Sequence, residues 1–462
     1  MAYASRLKVG IKQLLYLDQL VRYSLLYRAS QAFVGLGTIF VITRWFKPEE
    51  QGYYYIFASL LGLQVLFELG LSFVILQFSG HEFATLSWSN DKVIQGPPDK
   101  IAEFKVFLAK CFKAYAFIAI IAFCMVWLGG YLFFIHAKNT STVNWNMPWL
   151  LLCLATSGNL LLAPFLSIIE GSGLVVQINQ FKTIQNTLGA VAMWLAMIAD
   201  THLYSIAIDA VVCLAITFGW LLYYFSDLIK KTYQGLFTPN QIPSLVWAQE
   251  VWPMQWRMAI SWISGYFLSQ IYIPIIFYYH DSVSAGKLGM SLAVCNMLSL
   301  FSISFMTAYN PRMCQLIAQK KWENLHALFN RLFIHSLILT SLAAAAIFIC
   351  MNLPLLSFLT KRFVSPYEML LLLSTVVVSY MIGAAAQLLR AFKREPFVWV
   401  SLIGAILNAS LAWWFGKKYS ILGIAYVYLL VNLCYGLPTA WLIWKKNTIN
   451  LWRKNEEVMQ CP

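Results

Sequence analysis

The chain has 462 residues, of which 60% are hydrophobic and only 11% are charged, and its formal net charge is +14. Soluble domains carry roughly 25% charged residues, so this composition excludes a soluble globular protein. The runs 29–43 and 258–279 contain no charged residue. The second run is long enough to cross ~30 Å of hydrocarbon as a helix, which indicates a membrane protein.

Twelve membrane-spanning segments are predicted along the chain, after an N-terminal stretch that lacks a signal-peptide cleavage pattern. Each is a largely apolar run bounded by polar or charged residues, as a helix that crosses a bilayer requires. Only the sequence "ADTHL" separates the fifth segment from the sixth. We therefore predict an all-α polytopic protein with about twelve transmembrane helices. Their predicted limits are 22–44, 53–79, 107–135, 149–170, 183–199, 203–225, 257–279, 287–308, 331–352, 367–389, 396–416 and 420–444.

The distribution of basic residues predicts the orientation of the chain. With a cytoplasmic N-terminus, the segments on that side of the membrane hold 24 Lys and Arg residues and the opposite side holds eight. Such an excess is typical of cytoplasmic loops, so we expect both termini in the cytoplasm. The same asymmetry, with attraction to the anionic inner leaflet, explains the net positive charge. No nucleic-acid partner is needed to account for it.

Weak internal similarity relates the first six predicted spans to the last six. Arg28 and Arg257 lie 229 residues apart, and Gly52 and Gly286 lie 234 residues apart, both close to half the chain. Because six is an even number, the two copies have the same orientation. A parallel repeat of this kind is a known transporter plan, with the substrate site at the repeat interface. The predicted domains are an N-terminal six-helix bundle at 1–225, a cytoplasmic linker with a short interfacial helix at 226–256, and a C-terminal six-helix bundle with a short tail at 257–462.

Two arginines stand at the start of apolar runs, in the stretches "YRASQAFVG" and "QWRMAISWISG". Only 15 uncharged residues separate Arg28 from Arg44, too few to cross the bilayer, so the first span must extend back past Arg28. A cation at that depth faces a cavity or a partner, or extends its side chain to the headgroups. Arg257 precedes 22 uncharged residues, which leaves it able to line a cavity or to anchor at the interface.

Two acidic residues lie within predicted spans. Glu68, in "QVLFELGLSF", falls near the middle of the second span, where a carboxylate must be protonated, paired with a base such as Arg28, or hydrated by a cavity. Asp209 lies about two turns inside the outer end of the sixth span, as a cavity residue or a hydrated helix-end residue. Both are candidate cavity or ion-coupling residues.

The seventh predicted span contains a proline and several polar or aromatic side chains. Pro274, in "IYIPIIF", is predicted to kink the helix. Gln270 is a candidate substrate-binding residue, although amide side chains in spans commonly serve helix–helix contacts. Trp262 could stack against a sugar face.

Other kinds of chemistry have no support in the sequence. The nine cysteines include no C-x-x-C pair and have no metal-ligand spacing with histidine, so they are interpreted as apolar packing residues. There is no phosphate-binding loop and no ATP-binding motif. We therefore expect no metal, no cofactor and no catalytic residue, and any energy for transport must come from ion gradients or from downstream consumption of the product.

The chain resembles the multidrug/oligosaccharidyl-lipid/polysaccharide exporter superfamily in its twelve spans, its duplication and the glycine after the first span of each half. Within it, the stretches "FKPEEQGYYYIFASLLGLQVLFELGLSFVILQFSGHE", "FLSIIEGSGLVVQINQFKTIQN" and "EVWPMQWRMAISWISGYF" resemble polysaccharide-unit (O-antigen) flippases. The resemblance covers nearly the whole chain, but its motifs are diffuse.

The resemblance implies two six-helix bundles around a central cavity in the bacterial inner membrane. Members of that type flip an undecaprenyl-diphosphate-linked oligosaccharide from the inner to the outer leaflet by alternating access. On that pattern Arg28, Glu68, Arg257 and Gln270 would lie near the cavity. Our mechanistic hypothesis is that Arg28 and Arg257 hold the anionic diphosphate, with Gln270 and Trp262 as further substrate-binding candidates. The mid-span position of Glu68 suggests coupling to a proton or sodium gradient, and Asp209 is a second cavity or coupling candidate. The other expected partners are membrane lipids.

Three alternatives remain open at this stage: a peptidoglycan-precursor flippase, a drug or cation antiporter of the same superfamily, and a membrane polymerase or glycosyltransferase. A cationic cavity favours anionic lipid-linked substrates, and an acidic cavity favours cationic drugs. The predicted outer loops are short, which argues against an enzyme with its active site on the outer face.

Overall fold

A computed structural model describes residues 2–137, 143–237, 252–353, 357–392 and 397–446. Strand in these residues is confined to one antiparallel hairpin, Ser87–Trp88 paired with Ile94–Gln95. The rest of the regular structure is helical. In chain order the helices are α1 (Ala2–Trp45), α2 (Pro48–Leu61), α3 (Val65–Glu68), α4 (Leu71–Glu82), α5 (Pro98–His136), α6 (Asn146–Gly171), α7 (Val175–Ile198), α8 (Tyr204–Tyr224), α9 (Ser226–Leu236), α10 (Trp252–Ser269), α11 (Tyr272–Tyr279), α12 (Ser282–Ala318), α13 (Trp322–Met351), α14 (Ser357–Thr360), α15 (Pro366–Ala391) and α16 (Val398–Leu430).

The helices account for all twelve predicted spans. By length and hydropathy, the described residues contain eight helices able to cross a membrane, and ten when two bent helix pairs are each counted as one span. One of the eight, Val398–Lys446, holds two predicted spans, because Ser420 has a non-helical φ of 55° and divides it. The remaining span is α7, which has 24 residues but is less apolar. The predicted all-α, multi-pass fold class is confirmed.

The first helix is longer than the sequence predicted. It begins at Ala2, whereas the predicted span began at residue 22, and the part apolar enough to cross a membrane is Arg22–Trp45. Arg28 therefore lies inside a continuous helix, well away from either end.

The chain divides into two compact units. The first contains Met1–Phe46, Leu63–Ile135 and Thr142–Ala259, and the second contains Lys47–Gly62, His136–Ser141 and Ile260–Pro462. The first part of the predicted second span, α2, thus packs with the second unit. The domain limits derived from the sequence stay a prediction.

The core of the first unit forms where α4, α5, α6 and α8 pack together. Tyr115, Phe104 and Ile169 are fully buried there. At the edge of this unit, α1 packs on α7 because Gly37 leaves room for the ring of Trp194. The indole Nε1 of Trp194 then donates a 2.9 Å hydrogen bond to Thr38 Oγ1, which fixes the two helices in register.

The helix predicted in the linker is present as α9, and the hairpin docks on it. The backbone N–H of Ile94 donates to an Asp227 carboxylate oxygen at 3.0 Å. Lys231, only 8% exposed, pairs with the same carboxylate and donates to the Ile94 carbonyl oxygen at 3.4 Å. Since these polar groups satisfy one another, the start of the linker is fastened to the loop before α5. The rest of the linker, 238–251, lies outside the described residues.

In the second unit, α2 packs closely on α12 through two glycines. Gly52 and Gly286, which the repeat predicts as equivalent positions, face each other with no space for a side chain between their backbones. Gln51 extends the contact, since its Nε2 donates to the carbonyl oxygens of Gly286 at 2.9 Å and Arg362 at 3.0 Å. Close backbone approach through small residues is a common way to pack helices in membranes, where lipid provides no hydrophobic driving force.

Two predicted spans are bent. The seventh bends by 44° between α10 and α11, which confirms the kink predicted from Pro274. Pro274 lacks an N–H and its ring collides with the carbonyl four residues earlier, that of Gln270, so the helix breaks there. The second span bends by 50° between α3 and α4, where Leu69 and Gly70 both have positive φ, at 50° and 72°. The sequence did not predict this second break.

Replacing Gly52 by Ala tests the glycine contact. A methyl group there would overlap the backbone carbonyl of Ser282, which cannot rotate away as a side chain would. We expect a loss of about 1–3 kcal/mol, the usual cost of overpacking, measured as a lower melting temperature in detergent. Gly129→Ala is the control, because nothing lies within 4 Å of a Cβ at that position. Equal melting temperatures for the two variants would contradict the proposed close packing.

Candidate functional site

The Glu68 carboxylate lies at the break in the second span. It is the last residue of α3, and the left-handed Leu69 and Gly70 that follow turn the chain into α4. Two hydroxyl groups donate to its Oε1 atom: that of Ser72, one turn further along, and that of Tyr115 on α5, at 2.9 Å. The Ser72 and Tyr115 hydroxyl oxygens are themselves 2.7 Å apart. The result is a compact carboxylate–hydroxyl cluster within the first unit.

The observed partners of Glu68 in the described residues are hydroxyl groups and not a basic side chain. Tyr115 is fully buried, so its hydroxyl has no access to water and its hydrogen bond to Glu68 is retained. Among the described residues, no ion pair includes Glu68. Of the three predicted states, pairing with a base such as Arg28 is therefore not observed in these residues. Hydroxyl groups can serve either form of the carboxyl, because a hydroxyl both donates and accepts.

Arg28 presents a cation on the surface of α1. Its side chain is exposed, and within the part of the chain that the structure describes it has no ion pair. The surrounding turns are polar: Gln31 Nε2 donates to the Tyr27 hydroxyl at 3.0 Å, and Ser30 Oγ donates to the Tyr27 carbonyl oxygen at 2.8 Å. An uncompensated guanidinium beside an amide and a phenol is suited to an anionic partner.

A second polar element of the same unit joins α6 to α7. Lys182 Nζ lies 2.8 Å from a Glu170 carboxylate oxygen, and each side chain is 30% exposed. A salt bridge at this helix end is the ordinary structural interpretation of Glu170, and the structure supports it.

Asp209 lies between α7 and α8 and faces the protein. A Cβ on Gly189 would collide with its Oδ1 atom, so the glycine makes space for the carboxylate. The Cys213 sulfur lies 3.8 Å from the same Oδ1 atom. One turn further in, Gln185 Nε2 donates to Thr217 Oγ1 at 2.6 Å and to the Cys213 carbonyl oxygen at 3.3 Å. Asp209, Gln185 and Thr217 thus form a row of polar side chains between α7 and α8.

In the second unit, Gln270 lies at the bend of the seventh span. Its carbonyl oxygen, released from helical bonding by Pro274, accepts a 2.7 Å hydrogen bond from Ser59 Oγ on α2. The buried ring of Tyr266 packs over Gly62 next to it. Trp262 is half-buried on α10. The side chain of Arg257 lies outside the described residues, so its role stays a prediction.

The candidate residues are therefore distributed over both units. Arg28, Glu68 and Asp209 belong to the first unit, and Gln270 and Trp262 to the second. The prediction that they share one substrate cavity is untested. In the residues that the structure covers, no group of three or more His, Cys, Asp or Glu side chains is placed to hold a metal ion.

Comparison with known proteins identifies the fold. No family model matches the sequence, and no curated protein matches it. Among solved structures, the lipid II flippase MurJ in an inward closed conformation aligns with a TM-score of 0.66 and 16% identity, over 92% of this chain and 87% of MurJ. This chain has the fold of MurJ.

Two multidrug transporters support the same conclusion. The MATE transporter DinF-BH, in complex with R6G, aligns with a TM-score of 0.61 and 13% identity, over 93% of this chain and 95% of that one. An inward-facing MATE-family transporter of the MOP superfamily has a TM-score of 0.60 and 10% identity, over 91% and 94%. At such identities, the likeness to MOP transporters concerns the fold alone.

Sequence reasoning missed the hydroxyl partners of Glu68. Ser72 had a usable signal, since it stands four residues after Glu68 and shares its helix face. The pair "LG" at 69–70 also marked a place where the helix could turn left-handed. Tyr115 had none, because it lies in a long apolar run of α5 and its contact depends on how two helices pack.

The Tyr115→Phe substitution tests the carboxylate–hydroxyl cluster. It removes one donor to a buried carboxylate and leaves the ring in place, so we expect a stability loss of about 1.5–3 kcal/mol, measured by thermal unfolding in detergent. Tyr204→Phe on α8, a residue 38% exposed, is the matched control. In the Glu68→Gln background the effect of Tyr115→Phe should shrink. An undiminished effect there would show that the hydroxyl does not act through Glu68.

Proposed function

We propose that this chain is a flippase that moves a polyprenyl-diphosphate-linked oligosaccharide, such as an O-antigen unit, from the inner to the outer leaflet of the bacterial inner membrane. The observation that carries the proposal is the exposed guanidinium of Arg28 inside a membrane-spanning helix of the MOP fold. The likeness to MurJ, a lipid II flippase, supports a lipid-linked substrate. We further propose that both termini are cytoplasmic.

The chemistry of the substrate explains why the cation is needed. A diphosphate cannot enter hydrocarbon without partners, because removing a charge from water costs many kcal/mol. Arg binds phosphate oxygens through paired, charge-assisted N–H donors. Arg28 would bind the diphosphate, with Tyr27 and Gln31 next to it as neutral hydrogen-bonding groups. Arg257, Gln270 and Trp262 would complete the site, and the polyprenyl tail would stay in lipid.

Transport by this fold would proceed by alternating access. The two halves expose the bound head group first to the cytoplasmic side and then to the outer side. We propose that Glu68 couples this cycle to a proton or sodium gradient, because a carboxylate with hydroxyl partners at a helix break can bind a cation or a proton. Asp209 is the second candidate for this role. No bond is made or broken in the substrate, so the protein acts as a transporter and not as an enzyme.

A peptidoglycan-precursor flippase is the second candidate function, favoured by the likeness to MurJ. It would use the same cation and the same mechanism, with a different sugar head. A drug or cation antiporter would instead depend on the two carboxylates, Glu68 and Asp209, and would not need Arg28. The role of Arg28 therefore separates lipid-linked anions from cationic drugs.

Replacing Arg28 by Ala should abolish complementation of a strain that lacks its polysaccharide-unit flippase. Loss of one charged hydrogen-bonding partner weakens binding by at least roughly tenfold. Arg28→Lys should retain part of the activity, and Arg22→Ala, another exposed arginine of α1, should retain all of it at equal membrane levels. Full complementation by Arg28→Ala would remove Arg28 from the mechanism. Complementation only of a strain that lacks its lipid II flippase would favour the second candidate.

Ion coupling through Glu68 is tested with purified protein in liposomes. Flipping of a fluorescent polyprenyl-diphosphate sugar is measured with a proton gradient, a sodium gradient or none. Glu68→Gln keeps the shape of the side chain but cannot exchange a charge, so the stimulation by a gradient should disappear while unstimulated flipping remains. Glu323→Gln, at an exposed position on α13, is the control. If Asp209→Asn alone removes the stimulation, the coupling role belongs to Asp209.

A further inference from the structure

A cavity of about 300 Å³ lies within the second unit, and none of the candidate residues discussed above lines it. Three helices form it: α13, α15 and the final helical segment that follows α16 and extends to Lys446. From α13 come Phe329 and Phe333, one turn apart, and the amide of Asn330. From α15 come Met381 and Ala385, also one turn apart, so each helix offers a regular stripe.

The wall formed by the final helix depends on a local irregularity. Residues Val431–Gly436 form a π-helical segment directly before Pro438. The wider turn accommodates the proline, whose ring would otherwise collide with the carbonyl of Cys434. Beyond it, the lining residues recur at the spacing of one helix face. They are Leu437, Ala440, Trp441 and Trp444.

The lining is suited to a hydrocarbon chain. Apart from the Asn330 amide and the indole N–H groups, it consists of aromatic and aliphatic carbon, including four aromatic side chains. Ala385 and Ala440 are the small residues that leave the space open. Asn330 and Trp441 are exposed, so the cavity opens to the surroundings of the protein and is not sealed in its core.

Each of the three helices also carries an exposed basic residue close to the cavity in the chain. Arg331 follows Asn330 on α13, Arg390 lies five residues after Ala385 on α15, and Lys445 follows Trp444. All three are on the side predicted to be cytoplasmic. Anionic lipids are enriched in that leaflet, and basic pockets between transmembrane helices bind their head groups. An apolar cavity bordered by cations from three helices matches a ligand with an acyl chain and an anionic head.

We propose that this cavity is a binding site for an anionic phospholipid of the inner leaflet. One acyl chain occupies the space between Phe333, Ala385 and Trp441, and the phosphate lies at Arg331, Arg390 and Lys445. The site is separate from the proposed substrate residues and does not depend on what the protein transports. The bound lipid joins the ends of three helices of the second unit.

The test uses the full-length protein in nanodiscs with phosphatidylglycerol that carries a photoreactive group in its acyl chain. After illumination, mass spectrometry of peptides should place the label on α13, α15 or the final helix. Unlabelled phosphatidylglycerol should compete for labelling better than phosphatidylcholine does. Arg331→Gln and Lys445→Gln should each reduce that preference roughly fivefold, the value of one cation near an anionic lipid.

A cavity-filling variant with a matched control makes the site itself falsifiable. Ala385→Trp should remove the labelling, whereas Ala345→Trp, at an exposed position on α13, should keep it. If the Ala385→Trp protein does not accumulate in the membrane, the Arg331→Gln variant tests the site instead, through its loss of preference for phosphatidylglycerol over phosphatidylcholine. Labelling spread evenly over all spans would show surrounding bilayer lipid only and overturn the proposal. Cross-links between copies of the chain through Trp441 would also overturn it, since a second copy would then cover the cavity.

Discussion

Every backbone N–H and C=O inside a bilayer must find a hydrogen-bond partner within the protein, and two proline sites of this structure show different ways of meeting that requirement. At the seventh span, Pro274 frees the carbonyl of Gln270, and Ser59 of α2 binds it. The hydroxyl group that binds the freed carbonyl oxygen therefore belongs to a different helix from the one that is broken. Near the C-terminus, a π-helical segment widens the backbone before Pro438 instead. Bends in these spans are thus points of contact between helices.

Much of the fold follows from where charges are sparse. Largely apolar runs of sufficient length located all twelve predicted spans, since no other element buries so many apolar residues in sequence. Pro274 located a kink, because proline has a fixed geometric effect. The bend at Leu69 and Gly70 was missed. A leucine adopts the left-handed region only where contacts with the rest of the protein stabilise it, and the sequence does not show those contacts. The contact of Gly52 with Gly286 was missed too: the repeat indicated that the two positions correspond, but correspondence does not reveal which helices touch.

The candidate site was predictable residue by residue but not as an arrangement. The depth of Arg28 could be read from the short apolar run that follows it, and the structure places it inside a continuous helix. The position of Glu68 in the second span was equally clear, but none of the three states predicted for it included the pair of hydroxyl groups that bind it. A hydroxyl in an apolar run, such as that of Tyr115, gives no signal of its own. Its function is set by the rotation of α5 about its axis, which sequence alone does not fix.

The left-handed backbone of Leu69 affects the balance between bent and straight forms of the second span. A residue other than glycine costs ~1–2 kcal/mol in that region, and a helix without the bend would avoid this cost. Hydrogen bonds to a charged group contribute about 1.5–3 kcal/mol each, and two hydroxyls bind Glu68 in the bent form. For the ionised carboxylate, the two bonds together outweigh the cost of Leu69 by about 1–5 kcal/mol. Bent and straight forms of this span therefore differ in free energy by only a few kcal/mol. Binding of a single proton or ion at Glu68 can change this difference by a similar amount and so reverse which form is favoured.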